Sequence, residues 1–454
     1  MTIKGTAPSP DRLASGQELE VSFSDLLANG QAVGRAGTAV VFCAGPLPGE
    51  RARVRITSVK PKYAVGALCE LLDVSPDRTD PFCAVFGKCG GCQLQHLAYG
   101  AQLAWKTGVV RGALQRIGGF AAFEPALAIG MERTRAYRNK MSLVVNAAGD
   151  GSNLGFYRQR SHGVVPIHDC PVVMPELDRC IPPLDAAIGA SPVLRDARHV
   201  VARASSRTGE VVLTFASRKP LSELAEIAGP LAEKIPGVRG IGNSYDPTGE
   251  NAILGRKQRV AFGEDALTER IGEADYRVSS ASFFQVNTEA VEKIFAHLAP
   301  LLHRPLNVVD LYCGVGTFAL FFARLGATVF GIEENRHAVA EARSNATLNG
   351  VEQRATFLAG RVEDALASDQ ARAALSAAAV AFLDPPRKGS DEATLGAIVE
   401  AAVPRIWYLS CDPATLARDL KWVAAKGYRL DEVQPFDMFP QTGHVEALAL
   451  LSRV

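Results

Sequence analysis

The sequence predicts an α/β protein of three parts: a small N-terminal β-barrel, a central α+β domain, and a C-terminal domain on a mostly parallel sheet. Three observations point there. A chain of 454 residues exceeds what one hydrophobic core organises, so two or three domains are expected. Up to about Val74, short β-like runs follow one another at close spacing, the pattern of a small barrel. From about Ser282, strand-like and helical segments alternate, which implies a parallel sheet with helices on both faces.

The start, M-T-I-K-G-T-A-P-S-P-D-R, lacks the apolar stretch of a signal peptide and reads as a flexible tail over residues 1–14. No apolar run reaches the roughly 18 residues of a membrane span, so a cytoplasmic protein is expected. A net charge of +1 argues for no partner by itself; a nucleic-acid binder would have to concentrate its positive charge locally. The nine cysteines are odd in number and lack a secretion signal, so metal or catalytic roles rank above disulfides.

Residues 15–75 hold E-L-E-V-S-F, G-T-A-V-V-F, R-A-R-V-R-I and V-G-A-L-C-E-L-L, with turns such as A-N-G-Q and G-P-L-P-G-E between them. They read as an OB-like barrel. Arg51, Arg53 and Arg55 alternate along one strand and so share a face, with Lys60 and Lys62 following. That face is either a solvated exterior or a surface that tracks phosphates.

Residues 76–280 are less regular. A-Q-L-A-W-K-T-G-V-V-R-G-A-L-Q-R-I-G-G has helical periodicity and a terminal Gly pair; this helix, about 98–118, is expected to pack on the C-terminal domain. The runs K-M-S-L-V-V-N, E-V-V-L-T-F and Q-R-V-A-F read as strands, and basic residues recur in R-T-R-A-Y-R-N-K and Y-R-Q-R-S-H.

Cys83, Cys89 and Cys92 open this region as C-x5-C-x2-C. Cys170, in H-D-C-P, is the preferred fourth metal ligand for its following proline, with Cys180 as rival. Four-cysteine zinc sites use two C-x2-C-like knuckles, and this chain has one. Three clustered cysteines and one distant Cys-Pro look more like a cubane iron–sulfur site. Cys43, Cys69 and Cys313 read as buried small apolar residues.

Residues 281–454 begin their strand–helix alternation with N-V-V-D-L-Y and continue with T-V-F-G-I-E, A-V-A-F-L-D, R-I-W-Y-L-S and E-A-L-A-L-L. The first strand runs into a turn whose Gly314 and Gly316 let a ligand approach the backbone. The next strand ends at Glu333, where a carboxylate can bind both hydroxyls of a ribose. The third glycine of G-x-G-x-x-G is missing, so a pyrophosphate would be poorly cradled. A nucleoside without phosphates fits better, and S-adenosylmethionine is the obvious one. D-L-Y-C-G-V-G-T-F with an acidic strand end resembles the class I methyltransferase motif, which implies a Rossmann-like sheet.

Two later strand ends complete the site. Asp384, in D-P-P-R-K-G, and Cys411, in S-C-D-P, both emerge where open parallel sheets bind ligands. Prolines stiffen both turns. A thiolate at position 411 adding to carbon 6 of a uracil ring would create an enolate with carbanion character at carbon 5. That carbon could take a methyl group, after which a base must remove its proton. Glu446 is the candidate base, and His444 a weaker one.

D-P-P-R-K-G, S-C-D-P-A-T-L-A-R-D and H-V-E-A-L together resemble the RNA 5-methyluridine methyltransferase family, as does S-F-F-Q-V-N upstream. The resemblance implies that Cys411 is the nucleophile and Glu446 the base. It implies that Gln285, Tyr312, Glu333 and Asp384 lie against the methyl donor or the target base. It further implies a [4Fe–4S] cluster on Cys83, Cys89, Cys92 and Cys170, and likens D-L-L-A-N-G-Q-A-V-G-R-A-G to a TRAM domain. Two departures stand out: Asp412 where the family usually has Asn, and Thr317 where it often has Asn. A charge at position 412 is expected to raise the Cys411 pKa unless a cation such as Arg387 offsets it.

The leading expectation is therefore a monomeric enzyme that methylates carbon 5 of a uridine in RNA. Members with both barrel and cluster more often act on 23S rRNA, whereas bacterial tRNA-directed members generally lack both. A paired target must be flipped out of its stack, and Phe283 or Phe284 could stack on it, or be core. Alternatives are a tRNA uridine methyltransferase, an amino-group methyltransferase using D-P-P-R, and an inactive iron–sulfur RNA-binding module.

Overall fold

The computed structural model describes residues 13–146, 152–159, 161–246, 253–255, 257–302 and 306–454. Up to residue 12, the tail expected over 1–14 lies outside the described residues. The chain divides into two compact units. One comprises residues 1–105, Tyr157–Val165 and Gln441–His444; the other comprises the rest.

The first unit is built on a closed barrel of β1 (Glu18–Leu26), β2 (Gln31–Ala36), β3 (Ala39–Ala44), β4 (Arg51–Val59) and β5 (Ala64–Asp73), in the order β1-β2-β3-β5-β4. Alternation along β4 sends Ala52, Val54 and Ile56 inward, where they meet Val21, Phe23 and Val41. β2 carries Gly34 because a Cβ there would lie 2.5 Å from Val21 Cγ1 and 2.7 Å from the Ser22 carbonyl.

The outward arginines of β4 are each matched by a carboxylate on a neighbouring strand. Arg51 pairs with Glu20 (3.1 Å) and Asp73 (2.8 Å), Arg53 with Glu70 (2.8 Å) and Arg55 with Glu18 (2.7 Å). The three arginines are thus locally paired on an exposed outer face. Cys69, expected in the core, is exposed beside Glu18.

Two seven-stranded sheets follow. The central one contains β6 (Lys140–Val145), β7 (Leu154–Tyr157), β8 (Val164–Pro166), β9 (Ala197–Ala204), β10 (Val211–Ser217), β11 (Val238–Tyr245) and β12 (Lys257–Gly263), ordered β12-β11-β10-β9-β6-β7-β8. A hairpin, β13 (Ala266–Ile271) and β14 (Ala274–Ser279), follows. Its Ile271, Tyr276 and Val278 pack into the core of the last sheet.

That last sheet contains β15 (Asn307–Leu311), β16 (Thr328–Glu333), β17 (Ala355–Ala359), β18 (Val380–Leu383), β19 (Arg405–Ser410), β20 (Tyr428–Phe436) and β21 (Glu446–Arg453). Their order is β17-β16-β15-β18-β19-β21-β20; the first five pair in parallel, and β21 runs antiparallel to both its neighbours. The central strands are buried on both faces and therefore read as nearly continuous apolar runs. The helix Tyr99–Ala113 continues as a π turn over Leu114–Gly118 and ends at Gly119, whose φ of 76° is left-handed. Its Val110, Ala113 and Leu114 share a core with β18 and β19.

Candidate active site

Parallel register lines up the carboxyl ends of the strands. Leu311 pairs with Ile332 and Leu383, and Leu383 with Tyr408. Tyr312, Glu333, Asp384 and Cys411 therefore leave the sheet at one edge. β21 runs antiparallel to β19 and pairs Ala447 with Ser410, which brings Glu446 to the same edge.

The turn after β15 is tight. Tyr312, Gly314 and Gly316 have φ of 69°, 56° and 87°. A non-glycine residue in the left-handed region is strained, and such strain gathers where a turn must shape a site. A Cβ on Gly316 would lie 2.7 Å from Leu320 Cδ1. Glu333 accepts from the Gly314 N–H (3.1 Å) and the Asn335 N–H (2.7 Å), so it fixes the turn while staying half-buried at its rim. Beneath it, Asp310 is buried, and burial together with Asp384 holds its carboxyl well above the usual range.

Gln285 is buried, and its Nε2 donates to Asp384 Oδ2 across 3.2 Å. The backbone around it is held by Asn139, which donates to the carbonyls of Gln285 (3.0 Å) and Val286 (2.9 Å). Phe284 is core, packed on Tyr276 and under Arg203, whereas Phe283 is 68% exposed.

Three acids share the pocket. Burial pushes the Cys411 thiol up to about 11, Glu446 and Asp384 add to the rise, and Arg387 pulls it down. Burial, and then Asp384, raises Glu446 well above the carboxylate range, again opposed by Arg387. Burial lifts Asp384 to about 7, against the Gln285 hydrogen bond.

Asp412 has a structural role of its own. Its Oδ1 accepts from Ala414 N (2.9 Å) and Thr415 N (3.0 Å), capping the helix Pro413–Ala424. An Asn can make the same cap, and the positive end of the helix faces the charge. The groups that raise Cys411 are Glu446 and Asp384. Thr317 opens the helix Thr317–Arg324, and its carbonyl accepts from the Tyr276 hydroxyl at 3.0 Å.

Other expected residues fall elsewhere. His444 is exposed and belongs to the first unit. Cys83, Cys89 and Cys92 lie half-buried in one loop of the first unit, where the Gly91 N–H points at Cys89 Sγ (3.4 Å). Cys170 lies in the second unit, its N–H bound to Asp178 Oδ1 (2.7 Å). Among the described residues, no three His, Cys, Asp or Glu side chains gather to hold a metal ion. Cys180 is buried and donates to the Glu176 carbonyl, which accounts for it by packing. Tyr408, Ser390 and Asp419 were not anticipated, although S-C-D-P-A-T-L-A-R-D ends on Asp419.

A glycine turn, an acidic strand end and converging groups on a mostly parallel sheet define an S-adenosylmethionine-dependent methyltransferase of class I. Comparison with known proteins narrows this. Residues 99–454 match the tRNA (Uracil-5-)-methyltransferase family and residues 12–69 the TRAM domain. The chain belongs to the tRNA (Uracil-5-)-methyltransferase family and is an RNA methyltransferase. An uncharacterized RNA methyltransferase of Bacillus cereus is 36% identical over 465 residues, covering 100% of both chains. Another, from Thermosynechococcus vestitus, is 39% identical over 452 residues, covering 96% of this chain and 98% of its own. Among solved structures, Pyrococcus abyssi tRNA (uracil-54, C5)-methyltransferase in complex with S-adenosyl-L-homocysteine is similar over 95% of this chain and 100% of its own, with 26% identity and a TM-score of 0.74.

Proposed function

We propose that this protein methylates carbon 5 of a uridine in RNA through a temporary bond between Cys411 and carbon 6. The observation that carries this reading is the convergence of Cys411, Glu446 and Asp384 in one pocket where each carboxyl raises the thiol pKa. The Cys411 thiolate adds to carbon 6, and the electron pair moves to carbon 5 and the carbon-4 oxygen. Carbon 5 takes the methyl group of S-adenosylmethionine, whose sulfonium becomes a neutral thioether. Glu446 as carboxylate removes the carbon-5 proton, the double bond reforms, and the C6–S bond breaks. Asp384, steered by Gln285, faces the uracil's polar edge or the donor.

Phe283, with its exposed ring, is our candidate for stacking against the flipped base or its neighbour. Burial, then Arg203 and Arg138, depresses the half-buried Lys140 ammonium to about 8, which places these three basic side chains near one another. This cluster offers phosphates the positive charge that the β4 stripe has spent on its own carboxylates.

The combination of barrel and cysteine loop favours 23S rRNA as substrate. A tRNA substrate is the second reading, favoured by the end-to-end likeness to the Pyrococcus abyssi enzyme. Incubation of 23S rRNA and tRNA transcripts with methyl-labelled donor, followed by nucleoside analysis, decides between them. Label in 5-methyluridine from the ribosomal transcript is expected; label on nitrogen or ribose would overturn the reading.

A [4Fe–4S] cluster on Cys83, Cys89, Cys92 and Cys170 belongs to the same proposal, supported by the all-thiol donor set and the N–H aimed at Cys89 Sγ. When bound it would brace the fold, and the methylation draws no electron from it. Anaerobic purification with iron and sulfide analysis tests it. Four irons per chain are expected, and loss of iron on Cys89→Ser.

A further inference from the structure

Behind the candidate site lies a set of buried polar groups that the chemistry above leaves unused. Tyr408 lies on β19, and Asp419 on the helix that starts after Cys411; both are buried, as is Ser390 after β18. Asp419 Oδ2 accepts from the Tyr408 hydroxyl (2.7 Å) and the Ser390 N–H (3.0 Å), and its Oδ1 accepts from Arg418 Nε (2.7 Å). A buried carboxylate is costly unless its oxygens are bonded, and these three donors make this one tenable.

The same helix grips the segment that carries Asp384. Thr415 Oγ1 donates to the Arg387 carbonyl (3.2 Å), and the Arg418 guanidinium donates to the Lys388 carbonyl (3.0 Å). Gly389 must be glycine, since its φ is +78° and a Cβ would lie 2.5 Å from Asp419 Oδ2. Finally, the Ser390 hydroxyl meets the Tyr312 hydroxyl at 3.2 Å. An unbroken hydrogen-bonded path thus runs from the strained donor turn, through Ser390, to the helix capped beside Cys411.

We propose that Tyr312, Ser390 and Asp419 form a positioning relay by which an occupied methyl-donor site sets the reach of the Cys411 sulfur. The proposal rests on the covalent reading of Cys411 given above. None of the three is a catalytic residue by virtue of this relay; they act through the nucleophile. The relay makes sulfur addition to the ring efficient only when a donor is present to use the resulting carbanion.

The test follows carbon-5 hydrogen exchange, which needs addition but no methyl transfer. Sulfur bonds to carbon 6, carbon 5 takes a solvent proton and gives up its original hydrogen to the base, and the C6–S bond breaks. With RNA tritiated at carbon 5 of uridine, S-adenosylhomocysteine is expected to speed tritium release by the wild-type protein. Ser390→Ala keeps the backbone N–H that Asp419 and Tyr408 share but removes the hydroxyl that meets Tyr312. It should cut the speed-up about five- to tenfold, the scale of one lost hydrogen bond. Equilibrium dialysis should show that S-adenosylhomocysteine still binds. Tyr312→Phe, assayed at a ligand concentration that saturates it, should cut the speed-up to the same extent, and the double variant no more, because both remove one link. A full speed-up in Ser390→Ala with the ligand bound, or additive effects of the two changes, overturns the relay alone. No tritium release by a wild-type protein that still methylates RNA overturns the covalent reading and the relay with it.

Discussion

Gln285 Nε2 and Asp384 Oδ2 are 3.2 Å apart although 99 positions separate them in the chain. Gln285 is a fixed donor, so the bond favours the charged form of Asp384 against its burial. Asp384→Asn should lower kcat/KM about 100-fold, the low end of what a positioned acid or base contributes. Gln285→Ala should raise the Asp384 pKa further, moving the acid limb of the kcat/KM profile to higher pH. Steady-state methyl transfer across pH checks both, and an unmoved acid limb in Gln285→Ala would contradict the assignment.

Cys411 is held up to about 11 by burial and by Glu446 and Asp384. Because the protonated thiol is unreactive, alkylation by iodoacetamide should still be climbing at about pH 9.5, where an ordinary thiol has levelled off. Glu446→Gln removes a raising charge and should move the curve to lower pH. Arg387→Ala removes the lowering charge and should move it to higher pH. Peptide mass spectrometry of the Cys411 fragment reads each rate.

Lys106 and Asp437 are both fully buried and bonded to each other, and Lys106 Nζ also donates to the Phe439 carbonyl (3.1 Å). Breaking one side of such a pair leaves an uncompensated charge. Lys106→Met should cost about 3–5 kcal/mol in urea unfolding, and Lys106→Met with Asp437→Leu should recover most of it.

Asp412 caps its helix through bonds to Ala414 and Thr415. Asp412→Asn should change stability by less than about 0.5 kcal/mol, whereas Asp412→Ala should cost about 1 kcal/mol. Thermal melts of the full chain measure both. A large gain in thiol reactivity for Asp412→Asn would show that the charge, and not the cap, matters.

The parts of this protein that sequence makes readable are those where chemistry sits at the end of an apolar run. Tyr312, Glu333, Asp384 and Cys411 are punctuated by glycine or proline, and the sheet registers them at one edge. β2 was hidden because Gly34 interrupts its pattern, and the reason for that glycine is a contact with Val21 on another strand. The arginines of β4 looked cationic because Glu18, Glu20, Glu70 and Asp73, which neutralise them, lie on strands far away in sequence. Asp419 and Ser390 were opaque for the same reason: their roles exist only as hydrogen bonds between distant segments. The Phe283–Phe284 pair shows the limit most plainly, since adjacent identical residues have opposite environments.

The most direct test uses 5-fluorouridine RNA and S-adenosylmethionine, because fluorine cannot leave as a proton and the methylated adduct is trapped. Mass spectrometry of the digested complex should find the nucleotide on the Cys411 peptide, carrying one added methyl group, and Cys411→Ala should give neither adduct nor methylated RNA. Continued turnover by Cys411→Ala, or a nucleotide attached to a different side chain, would contradict the account.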